Sequence, residues 1–254
     1  MLDADRSSSM TRALPTVAEL VLQVPCLPSI TQAVVVGEAV RSAVLALHQV
    51  RSATLSGKDA QGRPLEQQHM HAHYVPDCRG VDPLQITHVV VYAPTGLIAS
   101  EVTALARLSY LPRFILGRQS AAGQTVGVAL SGLGSPCELR GSQLLQRSTR
   151  FISRTPFVLP RHCKRGEEPQ VQLLRELQLR RLPMPVQMQL MPEPAGLPPK
   201  QRLPWSSFVL HRHKDQQTRS FCGFRIELAE PVVGPLLLGY GCHYGLGQWI
   251  ADES

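Results

Sequence analysis

Residues 234–250, GPLLLGYGCHYGLGQWI, constrain the chain more than any other stretch. Four glycines, Gly239, Gly241, Gly245 and Gly247, share one parity beside an apolar run. Glycine adopts backbone conformations that a Cβ forbids and lets another group approach the main chain closely. Such a segment reads as a bulged hairpin packed on a helix, or as a hairpin whose row of N–H groups faces a phosphate. In the second reading His243 and Tyr244 add a hydrogen bond or a stacking surface for an unpaired base. No GK[ST] follows the glycines, so this is no P-loop. No strand–helix–acid context surrounds them either, which excludes a dinucleotide fingerprint.

Upstream, Val36, Ala39, Val40, Ala43, Val44 and Leu47 recur at helical spacing and predict an amphipathic helix over 34–47. HMHAHYVP alternates and reads as a short strand. ITHVVVYAP, over 86–94, is a second strand rich in β-branched residues. A second helix over 101–111 turns Val102, Leu105 and Leu108 to one side, and 114–116 begins another strand. With a strand before Val36, this is the split βαβ order, helices on one face of the sheet and the other face free. The second half offers a strand over 124–130 and a helix over 170–180 with Val171, Leu174 and Leu177 inward. Strands at 186–190, WSSFVLHRH and FCGFRIELA follow. The predicted class is α+β: two tandem ferredoxin-like (RRM-like) domains with a C-terminal glycine-rich loop. Residues 1–12 read as a disordered arm or linker, 13–118 as the first domain and 119–254 as the second.

HMHAH places His69, His71 and His73 two apart, which on a strand puts all three on one side. His88 lies on the neighbouring candidate strand. Imidazole suits proton transfer near neutral pH. One histidine can deprotonate a ribose 2′-OH while another group protonates the leaving 5′-oxygen, giving a 2′,3′-cyclic phosphate without a metal. Lys58, in the loop before, can stabilise the charged phosphorane. Two other readings stand beside this one. The histidines can ligate a metal, with Glu66 and Asp77 as outer partners, or they can be structural. Nothing in the spacing requires a metal or another cofactor, and none is expected.

The net charge is +7, a balance that favours a polyanionic partner. Residues 139–181 hold ten Lys/Arg against three Asp/Glu. TPFVLPRHCKRG gathers Arg161, His162, Lys164 and Arg165 in a turn-rich setting, and Arg175, Arg180 and Arg181 follow on or just after a helix. The guanidinium fork fits phosphate; the alternative is a solvated basic face. No uninterrupted apolar run reaches the ~18 residues of a membrane span. MLDADRSSSMTR lacks the basic start and apolar centre of a secretory signal. Six cysteines occur without a CxxC, which reads as reduced thiols. A cytoplasmic chain without a membrane partner is expected.

Four segments, GKDAQGRPLEQQHMHAHYVP, ITHVVVYAPTGL, TPFVLPRHCKRG and GPLLLGYGCHYGLG, resemble in that order one nuclease family. It is the processing half of the fused backbone-and-processing subunit of type I-G (formerly I-U) CRISPR effectors. The glycine segment is similar to the C-terminal loop of the wider RAMP superfamily. The resemblance runs from about residue 14 to 249. It implies two ferredoxin-like domains side by side, and metal-independent cleavage of precursor CRISPR RNA within each repeat, the product often staying bound. It implies that the general acid/base is His69 or His71, and that the glycine-rich loop is the span from Gly239 through Gly247. The implied partners are CRISPR repeat RNA or crRNA and other type I effector subunits such as backbone proteins. The alternative is a non-catalytic crRNA-binding subunit of a type I effector complex.

Overall fold

The computed structural model describes residues 13–66, 69–111, 125–162, 168–194, 197, 203–212 and 219–253. Lys164, Arg165, the strand start expected at 114–116 and the expected arm over 1–12 lie outside the described residues.

The first sheet contains β1 (Val17–Gln23), β2 (His73–Asp77), β3 (His88–Tyr92), β4 (Tyr110–Leu111) and β5 (Val126–Gly134), in the order β2-β3-β1-β5-β4. Each neighbouring pair is antiparallel. α1 (Ala33–Leu47) and the single turn α2 (Ala53–Ser56) connect β1 to β2, and α3 (Ala99–Ala106) follows β3. α1 forms where the spacing places it, and Val36, Val40, Ala43 and Val44 are buried. The stretch Ile30–Leu47 is long and apolar enough to cross a membrane by composition. Its valines instead pack in the core with Leu20, Val89 and Val91 of the first sheet.

α3 starts two residues before the expected position. Glu101 accepts the Ile98 N–H at 2.9 Å and the Ser52 hydroxyl at 2.5 Å, which fixes the first turn. The helix is over by Ala106, so Tyr110 and Leu111 belong to β4 instead. The strand expected to open the second half is β5, and it pairs along the length of β1 in the first sheet, with Leu130 opposite Leu20. That pairing buries Val126 and Val128 in the same core as α1.

The second sheet contains β6 (Arg147–Ser153), β7 (Phe157–Val158), β8 (Pro185–Met191), β9 (Phe221–Val233), β10 (Leu236–Leu237) and β11 (Gln248–Ala251), with α4 (Pro169–Leu179) between β7 and β8. Its path is β10-β11-β6-β9-β7, and β8 pairs with β9. The succession β8-β9-β6-β11 repeats the succession β2-β3-β1-β5 of the first sheet. The described part of WSSFVLHRH, residues 205–212, is not a strand. Trp205–Ser207 form a 3-10 turn, and the Trp205 indole N–H donates to the Met191 carbonyl at 2.9 Å. Burying the Trp205 and Phe208 rings in the first core competes successfully with sheet extension there.

The face of the first sheet turned away from α1 is covered, contrary to the sequence expectation. Val17, Val75 and Val90 on that face pack with Ile152, Leu237 and Ile250 of the second sheet. On the far side of the second sheet Leu173 and Leu177 of α4 meet Phe151, Phe224 and Trp249. The layers run helices, sheet, sheet, helix, and β2 is buried at every position. A charge network crosses the seam. Asp77 accepts from Arg79 Nε at 2.7 Å and from Ser142 at 2.7 Å, with Arg154 at 3.8 Å. Arg79 also pairs with Glu19 at 2.6 Å. Two carboxylates face two guanidiniums, so the buried seam carries no net charge.

Candidate active-site cleft

The glycine segment is folded by close packing. β10 leads into a 3-10 turn at Cys242–Tyr244 and then β11, with all four glycines at positive φ. A Cβ on Gly245 would stand 2.6 Å from Pro76 Cδ of β2. One on Gly37 of α1 would stand 2.6 Å from the Tyr244 carbonyl oxygen. Glycine at both positions lets the loop press against β2 and α1. Thr155 donates its hydroxyl to the Gly245 carbonyl at 3.0 Å, and Gln248 Nε2 donates to the Pro76 carbonyl at 3.0 Å. Two of the N–H groups expected to face a phosphate are spent on protein acceptors: Gly239 donates to Glu176 Oε2 at 3.1 Å, and Gly247 to the Pro156 carbonyl at 2.9 Å. Gly239, Gly245 and Gly247 are buried, and Gly239 and Gly241 line a cleft.

β2 begins at His73, so His69 and His71 lie in the turn before it and not on one strand face. The Ala72 N–H donates to the Thr54 carbonyl at 2.7 Å, which ties this turn to α2. What gathers the histidines is His243, from the other end of the chain. Its ring lies 3.7 Å from that of His71, 3.8 Å from that of His73 and 5.9 Å from that of His69. His243 Nδ1 is 3.2 Å from the Ala72 carbonyl. A carbonyl only accepts, so Nδ1 carries the proton and Nε2 bears a lone pair. That Nε2 is buried and has no hydrogen-bond partner among the described residues.

Burial pushes His243 well below the usual imidazole range, and repulsion from His73 and His71 adds to it. Burial, reinforced by Arg180, takes His73 down to about 3. His69 is lowered by burial first and by Arg180 second, with Glu176 opposing. These rings therefore sit neutral in the fold, the form that can accept a proton.

α4 supplies the opposite wall. The residues it buries are Gln172, Leu173, Glu176 and Leu177, while Val171, expected inward, is 51 % exposed. The inner face is partly polar because it serves neighbours. Gln172 Nε2 donates to the Arg161 carbonyl at 3.1 Å, and its Oε1 accepts the Arg161 N–H at 3.2 Å, so it clamps the rim of the cleft. Glu176 pairs with Arg180 one turn on, at 3.0 Å, both nearly buried. Arg180 Nη2 also donates to His69 Nδ1 at 3.1 Å and contacts Cys242 Sγ at 3.6 Å, while its Nη1 donates to the Leu237 carbonyl.

These walls enclose a cleft of about 530 Å³ that His69, His71, His243, Arg161, Arg175 and Glu176 line. Tyr240 and Tyr244 line it as well, with Arg219 4.1 Å over the first ring and Arg212 4.2 Å over the second. Several residues expected at the site sit elsewhere. Lys58 is exposed next to the lining residue Gly57. His162 and Arg181 are exposed and outside the lining. His73 is buried beneath the cleft floor, and His88 contacts Thr87 on β3. Glu176, Gln172, Cys242 and Tyr240 carry no individual signal in the sequence, apart from the i, i+4 spacing of Glu176 and Arg180.

No family model matches the chain, and no curated protein sequence matches it. The solved structures similar to it include two described as Cas6. One is a Cas6 product complex, 15% identical, covering 94% of this chain and 99% of that chain at a TM-score of 0.40. The other is Csf5, described as a CRISPR-Cas type IV Cas6 crRNA endonuclease, 16% identical, covering 95% of this chain and 100% of that chain at a TM-score of 0.43.

Proposed function

We propose that the chain is a metal-independent endoribonuclease that cleaves CRISPR repeat RNA and leaves a 2′,3′-cyclic phosphate on the upstream product. The observation that carries this reading is a single cleft lined by His69 and His71 and rimmed by Arg161 and Arg175, with Arg180 outside the lining and hydrogen-bonded to His69. One neutral imidazole takes the proton of the ribose 2′-OH. The 2′-oxygen attacks phosphorus, the bond to the 5′-oxygen breaks, and that oxygen takes up a proton from the second imidazole, which enters the step as imidazolium. Arg180 holds the His69 ring in place by donating to its Nδ1. Arg161 and Arg175 hold flanking phosphates. CRISPR repeat RNA as the substrate rests on the four sequence segments that resemble the type I-G processing subunit. Two ferredoxin-like units are supported by the repeated strand succession of the two sheets. Docking onto type I effector subunits in the cytoplasm extends the same resemblance.

The test is incubation of the purified chain with a labelled cognate repeat RNA in EDTA, beside a 2′-deoxy RNA at the cut position. Cleavage in EDTA is expected, blocked by the 2′-deoxy substitution and lost in His69→Ala or His71→Ala. Tight binding without cleavage by the parent chain would replace this reading with a crRNA-binding subunit that has no nuclease activity.

A further inference from the structure

The hydrogen-bonding of Arg180 has an unusual feature: one guanidinium nitrogen, Nη2, serves three acceptors of different chemistry. These are Glu176 Oε2 at 3.0 Å, His69 Nδ1 at 3.1 Å and Cys242 Sγ at 3.6 Å. A fourth lone pair, on His243 Nε2, is buried nearby without a hydrogen-bond partner among the described residues. His69 Nδ1 must be unprotonated, because a guanidinium only donates. His243 Nε2 is unprotonated because Nδ1 donates to the Ala72 carbonyl. A backbone carbonyl on the far nitrogen is the arrangement that orients imidazoles as metal ligands. The ligand atoms of His69, Cys242 and His243 lie within 4.8 Å of one another. A tetrahedral zinc set has donor separations of roughly 3.5 Å, so a contraction of about 1 Å closes this one. His69 sits in a turn before β2, where no strand pairing resists that contraction.

We infer that the cleft is a two-state cation site, in which a borderline-soft divalent ion of the zinc class binds His69, Cys242 and His243 by displacing the Arg180 guanidinium. Thiolate and imidazole donors select such an ion over magnesium or calcium. The charge balance is preserved. Arg180, neutral Cys242 and ionised Glu176 sum to zero, and so do a divalent ion, the Cys242 thiolate and Glu176 once Arg180 swings out into the cleft. The thiol proton passes to solvent, and no electron is transferred. This set differs from the three alternating histidines that the sequence offers as ligands, since His71 and His73 are not in it. The consequence for activity rests on the ribonuclease reading: the bound ion fixes His69 as a ligand and turns the Arg180 guanidinium into the cleft, so it inhibits.

The binding step is tested without RNA. Cobalt(II) is titrated into the full chain, and into Cys242→Ser and Arg180→Ala, with the folded state of each checked by circular dichroism. A near-ultraviolet thiolate-to-cobalt charge-transfer band together with tetrahedral visible bands is expected in the parent and in Arg180→Ala. The half-saturating cobalt concentration should be roughly tenfold lower in Arg180→Ala, because the competing cation is gone. The band should vanish in Cys242→Ser. A band that survives Cys242→Ser puts the ion on another thiol and overturns the proposal. So does the absence of a band in both parent and Arg180→Ala, or an unchanged midpoint on removing Arg180. None of these outcomes depends on whether the chain cleaves RNA.

Discussion

The rings of His71 and His243 stack 3.7 Å apart with their planes 4° from parallel. One belongs to the turn before β2 and the other to the glycine-rich loop, so the stack joins the two halves of the molecule. At that separation two imidazolium charges repel by about 4 kcal/mol even at an effective dielectric constant near 20. The His71–His243–His73 column therefore accommodates at most one positive charge.

The position of each histidine in the column separates chemistry from support. His69 and His71 line the cleft, whereas His73 is buried beneath it with its Nδ1–H on the Cys242 carbonyl at 3.4 Å. His69→Ala or His71→Ala should lower single-turnover cleavage by about 10²–10⁴ while RNA affinity changes little. His73→Asn should instead lower the melting temperature, because it removes the ring on which His243 rests. Cleavage kinetics and thermal melts on the three variants decide this. A His73→Asn protein that melts like the parent yet cleaves as poorly as His69→Ala would contradict the division.

Stability should depend on pH in a defined direction. His69, His73 and His243 all have folded values below the ordinary 6.5, chiefly through burial. Below 6.5 the unfolded chain binds protons that the folded chain does not, so stability rises with pH in this window. The contribution is complete above about 6.5. It is lost as pH falls towards the folded value of about 3 at His73, by up to about 1.4 kcal/mol per pH unit for each group. Urea midpoints should fall steadily on acidification from neutrality, and His243→Gln should flatten the fall. A midpoint that does not move between neutrality and pH of about 4.5 would count against neutral burial of the column.

Much of this fold is legible in local pattern. α1 shows its buried face in valine and alanine spacing, β3 in its β-branched run, and β8 in its alternation. The failures share one cause: they are decided by a distant partner. HMHAH alternates like a strand, yet its first residues form a turn, held by Thr54 and stacked on a ring from the C-terminus. β5 reads as a strand, but only pairing with β1 assigns it to the first sheet. α4 hides its inner face because Gln172 and Glu176 look solvent-facing by polarity, although their partners Arg161, Arg180 and Gly239 bury them. The glycines signal positive φ. Whether their N–H groups meet a phosphate or a carboxylate depends on α4.

Glu176 links the helix, the loop and the histidines, and it should act as a positioning residue. Its Oε2 accepts from both Arg180 and the Gly239 N–H. Glu176→Gln keeps an oxygen for Gly239 but removes the charge that holds the guanidinium. Hydrogen bonds to charged groups contribute about 1.5–3 kcal/mol, so cleavage should fall by roughly tenfold to a hundredfold. Glu176→Ala should lose more, because the Gly239 N–H loses its acceptor as well. Glu176→Asp, with a shortened but charged arm, should recover part of the rate. Rate constants for the three variants, measured at saturating protein, check the order Asp above Gln above Ala. Equal rates for Gln and Ala would show that the contact with Gly239 contributes nothing.

Gly245 tests whether the loop works by packing. At φ 98°, with Pro76 Cδ 2.6 Å from where a Cβ would sit, Gly245→Ala meets both backbone strain and a clash with a ring on a buried strand. Positive-φ strain alone costs on the order of 1–3 kcal/mol. The loop relieves the clash only by lifting off β2, which takes His243 out from between His71 and His73. Stability and cleavage should therefore fall together, with affinity for RNA less affected than either. Gly80→Ala is the comparison, since a Cβ there meets nothing closer than 3.5 Å and the backbone is not at positive φ. That variant should unfold within about 0.5 kcal/mol of the parent. If Gly245→Ala weakened RNA binding while its urea midpoint stayed at the parent value, the glycine would be serving the nucleic acid directly, and close packing would no longer explain its place in the loop.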